Sequence, residues 1–373
     1  MSLFSKYKFL VLLGLTIIEV RASERIADAM KLINAVSEDG QSLVTQGLTG
    51  KGVGIAIIDA TINKEHLIFQ KANIINCNTP EQQEEFRGYH GQHTASPIVA
   101  FPLPQGQFSE GTMPGTNLKF TLVYRGGLAP EATLYSYPYM TCSGMYVNEY
   151  KNGMKIIDTL DLILRHNQNP ETAPIKIINM SFTLTSTFNA PEILDKFKEI
   201  EKAGILVIHA ANNEKEVRTI SAGSLRATDN WLEVGALHAF KDNGAYQGWR
   251  SEDYHTGSSY PHPDSQEDFI WAPGHLVPVA TGEKVVGCNS GTSFAAPYVA
   301  AAAALLWEQN PSLTYRDIKD KLMSCPVHPI LMETIKKSAG RTVFFETHNV
   351  QRPILDIHHL LGSITESQPL KNS

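Results

Sequence analysis

Asp59, His90 and Ser293 lie far apart in the chain, yet they are the three side-chain types that together make a hydroxyl nucleophilic. Ser293 sits in Gly291-Thr292-Ser293-Phe294-Ala295-Ala296-Pro297, at the head of an alanine-rich stretch that reads as helix. A serine there has its hydroxyl among unpaired backbone N–H groups, which with the helix dipole favour negative charge. An isolated serine before a helix is ordinarily a plain N-cap, but the seven-residue string is far more specific. His90 opens His90-Gly91-Gln92-His93-Thr94-Ala95. Asp59 closes an apolar run, and catalytic groups gather at the carboxyl ends of parallel strands, although a lone Asp there also reads as a turn residue. Asn213 follows another apolar run and offers an amide donor for an oxyanion, beside the Ser293 N–H. The chemistry these residues could do is acyl transfer at a carbonyl. A metal pair, His90 with His93, is the competing use, but no Glu lies between them as a general base.

The elements that must position these groups alternate in type. Residues 53–59 (VGIAIID), 175–181 (IKIINMS), 205–211 (ILVIHAA) and 231–237 read as buried strands. Residues 155–166 and 191–203 have helical spacing, and Gly204 suits a helix C-terminus. The alternation predicts an α/β fold, a parallel sheet sandwiched by helices in three layers. The stretch 293–309 is apolar on every side, as a central helix is, with Pro297 near its first turn. Residues 101–127 and 238–268 read as long loops, rich in Gly and Pro or in Gly, Ser, His and Asp.

Composition bounds the function. The 373 residues are 42% hydrophobic and 19% charged, enough for a sizeable core. A formal charge of −6 leaves no basic surplus for phosphates, so nucleic acid is not the expected partner. Residues 1–22 read as a secretory signal: Lys6 and Lys8, an apolar run over 9–18, then Val20-Arg21-Ala22. That run is too short to span a bilayer, which needs about 20 residues. Losing residues 1–22 leaves a net charge of −8. The expected product is exported to a periplasm or secreted, monomeric, and without a stable membrane anchor. Cys77, Cys142, Cys288 and Cys325 remain, with no zinc-like spacing; free thiols and one or two bridges are equally compatible with them.

Taken together, the segments resemble the subtilisin-like serine proteases, the subtilases, from about residue 50 to 361. The order Asp59, His90, Ser293 is that family's order. Gly127-Leu128-Ala129-Pro130, Ile178-Asn179-Met180-Ser181, Ala210-Ala211-Asn212-Asn213-Glu214, Ala272-Pro273-Gly274 and Ile354-Leu355-Asp356-Ile357 resemble its landmarks in order. The resemblance implies a serine endopeptidase acting on proteins or peptides, with Asp59, His90 and Ser293 as triad and Asn213 as oxyanion donor. It implies a substrate cleft formed by Ser181, Phe182, Thr183, Ala211, Asn212 and Glu214. The same resemblance places the Glu214 carboxylate near the pocket mouth, which implies a preference for a basic substrate side chain. The expected division is a signal over 1–22, a short arm over 23–49 that reads as helical across 23–42, a peptidase domain over 50–363 and a tail over 364–373.

Departures from the family pattern are also legible. Ala60 and Thr61 stand where Ser or Thr and then Gly are usual, Gln92 replaces Thr, and Asn212 replaces Gly. Thr183 and Leu184 stand where glycines usually admit an extended substrate, which implies restricted cleavage. The roughly 28 residues between Ala22 and Lys51 are too few for a folding-assisting propeptide with its own core. Ile68 stands where relatives often place a calcium-ligating carboxylate, so no metal site and no cofactor is assigned, although the long loops leave room for structural calcium. These changes keep one alternative function open: a subtilase fold without turnover that binds a protein. His209, His255 and His262 have no evident partner and read as solvated or core histidines.

Overall fold

A strand with every residue buried needs neighbours on both edges and cover on both faces. Gly54–Asp59 is such a strand, and it lies inside the central sheet. The computed structural model describes residues 25–37, 45–77, 88–103, 108–112, 119–139, 149–182, 190–214, 217–218, 228–241, 244–249, 256–261, 268–282, 284–337 and 343–362. The chain begins with β1 (Arg25–Ala27), α1 (Ala29–Leu32), β2 (Gly54–Asp59), β3 (Asn73–Asn76) and α2 (His90–Val99). Next come β4 (Phe108–Thr112), β5 (Lys119–Val123), β6 (Thr133–Pro138), α3 (Glu149–His166), β7 (Ile175–Met180) and α4 (Pro191–Lys202). Then follow β8 (Leu206–Ala210), β9 (Val217–Arg218), β10 (Trp231–His238), β11 (Tyr246–Gln247), β12 (Tyr260–Pro261) and β13 (Phe269–His275). The last are β14 (Val277–Thr281), β15 (Val285–Asn289), α5 (Thr292–Gln309), α6 (Tyr315–Met323), β16 (Val327–Lys337), β17 (Val343–Pro353) and α7 (Ile357–Leu361).

The central sheet has seven parallel strands in the order β13-β10-β8-β7-β2-β6-β3. From β2 the chain lays down β3 at one edge, returns to insert β6 between β2 and β3, then crosses to β7 and builds outward on the other side. The winding therefore switches at β2, and it is outside the carboxyl ends of the strands at such a switch that folds of this kind bind ligands. Asp59 is the last residue of β2.

The two faces carry separate apolar layers. On one, Ile55, Ile57, Ile177, Leu206 and Leu232 pack with α2 and α5. On the other, Ala56, Ile58, Ile178, Met180 and Val207 pack with Ile156, Leu160 and Ile163 of α3 and Ile193, Phe197 and Ile200 of α4. This is the three-layer α/β/α arrangement. Every residue of α5 from Thr292 to Trp307 is buried. Pro191 opens α4, where its missing N–H removes nothing, and Gly204 (φ +74°) follows the helix end.

Three expectations are modified. The region 101–127 holds the antiparallel hairpin β4–β5, and β1 adds to it in parallel to make a separate three-stranded sheet. Within the arm the only helix among the described residues is the single turn Ala29–Leu32, preceded by strand rather than helix. Pro297 is the sixth residue of α5, beyond its first turn. Ile68 is wholly buried in the main core. Cys77, Cys288 and Cys325 are free thiols; Cys142 lies outside the described residues.

Candidate active site

The site begins at the switch point. His90 is the first residue of α2, and its Nδ1 lies 2.8 Å from Asp59 Oδ1 and 3.0 Å from Oδ2. Asp59 is fully buried, while the His90 side chain is 34% exposed, so the imidazole faces solvent and its partner does not. A carboxylate accepting from Nδ1–H leaves Nε2 as the basic nitrogen. Burial acts to lower the His90 pKa, but the Asp59 charge and hydrogen bond outweigh it and raise the pKa above 6.5.

Local sequence explains how Asp59 is held. Ala60 has no side-chain hydroxyl to offer the aspartate. The carboxylate instead accepts from the Ala60 backbone N–H (2.6 Å) and the Thr94 hydroxyl (3.2 Å), which lies one helical turn beyond His90. Thr61 is not one of the four non-glycine residues with left-handed backbone among the described residues, so it carries no strain there. Gly91 has to be glycine: a Cβ on it would come within 2.0 Å of the Ala60 carbonyl oxygen. Gln92 faces the core and donates to the carbonyls of Ala280 (3.0 Å) and Gly282 (2.9 Å), tying α2 to β14.

Ser293 is the second residue of α5. Its hydroxyl donates to the Ser181 carbonyl at 2.9 Å, and the Ser181 hydroxyl donates back to the Ser293 carbonyl at 2.9 Å. Pro297 accounts for the second bond. It has no N–H for the carbonyl four residues earlier, which is that of Ser293, so the Ser181 hydroxyl takes the vacant acceptor. Asn179 Nδ2 donates to the Ser181 hydroxyl at 2.9 Å and completes the relay. The Phe294 ring packs against both His90 (5.7 Å between centroids) and His93 (6.1 Å). The structure thus brings Asp59 and His90 into direct contact and Ser293 into contact with Ser181. A hydrogen bond between Ser293 and His90 is not formed among the described residues.

Asn213 is anchored to the same turn. Its Oδ1 accepts from the Thr292 N–H (2.9 Å) and the Thr292 hydroxyl (3.0 Å), which leaves the Nδ2 donors for another acceptor. Asn212 takes a left-handed backbone (φ +81°), which asparagine tolerates, and its side chain accepts from the Asn213 N–H at 2.7 Å. Ala211 and Phe182 are buried and Glu214 is exposed, bridged to Gly257. Thr183 and Leu184 lie outside the described residues, as do His255 and His262.

Several contributors were not legible in the sequence. His209, on β8, is fully buried; its Nε2 donates to the Phe182 carbonyl at 2.9 Å, and its Nδ1 lies 3.5 Å from Glu233 on β10, its partner in strand register. It is a core histidine, one of the two readings its sequence allows. His93 is pushed down to about 4 by burial and by neighbouring His90, so it stays neutral near pH 7; its Nδ1 meets Asn289 at 3.3 Å. Among the described residues no three His, Cys, Asp or Glu are grouped to hold a metal ion.

His275 adds a pH signature. Burial lowers its pKa to about 4 from the ordinary 6.5. As pH falls below 6.5 the unfolded chain binds this proton first, so stability is present above that pH and lost on the way down to about 4. The slope from this one group approaches about 1.4 kcal/mol per pH unit. Urea unfolding of His275→Asn is expected to show a smaller stability loss between pH 7 and pH 5 than the parent chain. Equal losses would remove His275 as a source.

Comparison with known proteins agrees with this geometry. The model of the Subtilase family, Peptidase S8, matches residues 50–343. A subtilisin of Bacillus sp. (strain TA39) is 27% identical over 292 residues, covering 75% of this chain, and subtilisin E of Bacillus subtilis (strain 168) is 26% identical over 290 residues, covering 76%. Each alignment spans 62% of the relative's own length. The structure of a cold-adapted subtilisin-like serine proteinase superposes with a TM-score of 0.53 at 18% identity, over 83% of this chain and 90% of the other. With the fold, the strand order and the family match in agreement, the chain belongs to the subtilase family.

Proposed function

We propose that this chain is a serine endopeptidase working through an acyl-enzyme on Ser293. The observation that carries the reading is the buried Asp59 carboxylate bound to His90 Nδ1, beside the helix start that bears Ser293. Family membership supports the same reaction class. Substrate binding turns the Ser293 hydroxyl from the Ser181 carbonyl toward His90, a rotation between staggered wells. His90 Nε2 takes the proton, and Oγ attacks the peptide carbonyl. The oxyanion is met by Asn213 Nδ2 and the Ser293 N–H. The tetrahedral intermediate collapses as His90 returns the proton to the leaving amine. Water then attacks the ester by the same route. Asp59 stays ionised and holds the imidazolium.

Phe182, Thr183, Ala211, Asn212 and Glu214 belong to the same reading as cleft residues, with Thr183 narrowing the approach and restricting cleavage. The partners are peptides or proteins, met outside the cytoplasm after removal of a leader over 1–22; those residues lie outside the described ones. Among the described residues no helix is long and apolar enough to cross a membrane.

A fluorophosphonate probe tests the proposal. It is expected to form one covalent adduct, mapped by peptide mass to Ser293. Folded protein that takes up no probe would favour the alternative of a binding module without turnover. Asn213→Ala is expected to keep the adduct but lower kcat on a peptide substrate by roughly 10²–10³ with KM little changed, the loss typical of one oxyanion donor. Unaltered kcat would remove Asn213 from the oxyanion site.

A further inference from the structure

The N-terminal arm is woven into the domain at three levels. Strand β1 pairs in parallel with β5, matching Arg25 with Phe120 and Ala27 with Leu122. Asp28, almost fully buried, accepts from the Lys31 N–H (3.1 Å) and from Arg125, whose Nε and Nη2 lie 3.0 and 2.8 Å from Oδ2. Met30, Ile33 and Ala35 are part of the main core. Ile33 accepts from the Ile357 N–H (2.9 Å), and Asn34 donates to Asp356 (2.7 Å), so the arm also clasps the start of α7. A segment meant for removal would not leave such buried residues to be replaced by water.

The arm also reaches the nucleophile. Ala27, wholly buried, packs in one apolar cluster with Phe120, Leu122, Ala239 and Leu276. Leu276 has a left-handed backbone (φ +55°), which a branched aliphatic residue adopts only when its surroundings over-determine it. At this corner the Leu276 N–H donates to the Ser290 hydroxyl (3.2 Å), which in turn bonds His275 Nδ1 (2.8 Å). One residue further, the Gly291 N–H donates to the Gly274 carbonyl (2.7 Å). The turn Ser290–Gly291–Thr292–Ser293 thus hangs from the 274–276 corner, and the corner is held by the cluster that β1 completes.

We propose that residues 25–37 are retained in the working enzyme as a positioning element, fixing the Leu276 corner and through it the turn that presents Ser293. The catalytic half of this inference rests on Ser293 being the nucleophile; the structural half does not.

The test uses the full chain and two variants. N-terminal sequencing of the protein is expected to find a start at or before Arg25; a probe-labelled species beginning after Ser37 overturns the proposal. Ala27→Asp drives β1 out of its cluster. Leu276→Gly keeps the backbone conformation but deletes the side chain that shares the apolar cluster with Ala27. In both, the probe-labelling rate per folded molecule is expected to fall about tenfold or more, since small misplacements of a reacting group are expensive. Amide exchange at Leu276 and Gly291 is expected to accelerate in parallel. If Ala27→Asp does not fold, Leu276→Gly decides. Labelling and exchange at parental rates in a folded variant overturn the inference. If the parent chain takes no probe at all, the protease reading fails, and the exchange rates alone still decide whether the arm fixes the turn.

Discussion

Ser293→Ala is expected to lower kcat on a peptide substrate by on the order of 10⁶, the loss seen when the nucleophile leaves a triad of this type. The residual rate should stay about 10³–10⁴ above the uncatalysed one, because the oxyanion donors and cleft remain. The geometry makes this variant clean. Among the described residues Ser293 Oγ makes one hydrogen bond, to the Ser181 carbonyl, whereas its backbone carbonyl, retained in alanine, receives the Ser181 hydroxyl. Removing the hydroxyl therefore leaves the Asn179–Ser181–Ser293 relay and α5 in place, and the thermal midpoint should move little. Probe labelling should vanish in the same protein. Retention of more than about a hundredth of the parental kcat, in protein free of parental contamination, would falsify the assignment of Ser293 as nucleophile.

How far the sequence carried differs from feature to feature. The chain order of Asp59, His90 and Ser293 and the alternation of apolar runs with amphipathic stretches are local signals, and the parallel sheet followed from them. The partners of those residues are non-local. Glu233 meets His209 only because β8 and β10 pair in the register that sets them side by side, and no spacing in the sequence encodes that register. The arm is a sharper case. Arg25–Ala27 is too short to read as a strand, and its partner Lys119–Val123 lies in a stretch whose Gly and Pro content reads as loop. Thr94 was within reach, because one helical turn after His90 puts it on the same face. In the sequence Pro297 reads as a proline near a first helical turn, yet its effect in the fold is to free the carbonyl that Ser181 occupies. That consequence needs the helix start to be known to the residue.

Asp59→Asn is expected to lower kcat near neutral pH by about 10⁴ and to move the acid limb of the pH–rate profile. On the proposed mechanism the reacting form of the parent is neutral His90, so kcat/KM should rise with pH through the pKa of the free enzyme. Asp59 raises that pKa against the opposing effect of burial, so the acid limb should lie above 6.5. In the variant the carboxylate charge is gone and burial acts alone, so the limb should drop below 6.5. The surrounding hydrogen bonds fix which way the new amide points. The Ala60 N–H is a backbone donor that cannot turn away, so the position of Oδ1 stays an oxygen. The NH₂ then takes the position of Oδ2, 3.0 Å from His90 Nδ1, where the Thr94 hydroxyl can accept from it while donating to the Gly91 carbonyl. An amide donating to Nδ1 forces the ring proton onto Nε2, the nitrogen that has to accept from Ser293. The large loss of kcat and the downward limb therefore share one cause, and both are read from a single pH series of kcat and kcat/KM on the two proteins. A variant that lost rate but kept the parental limb would show that Asp59 acts on something other than His90.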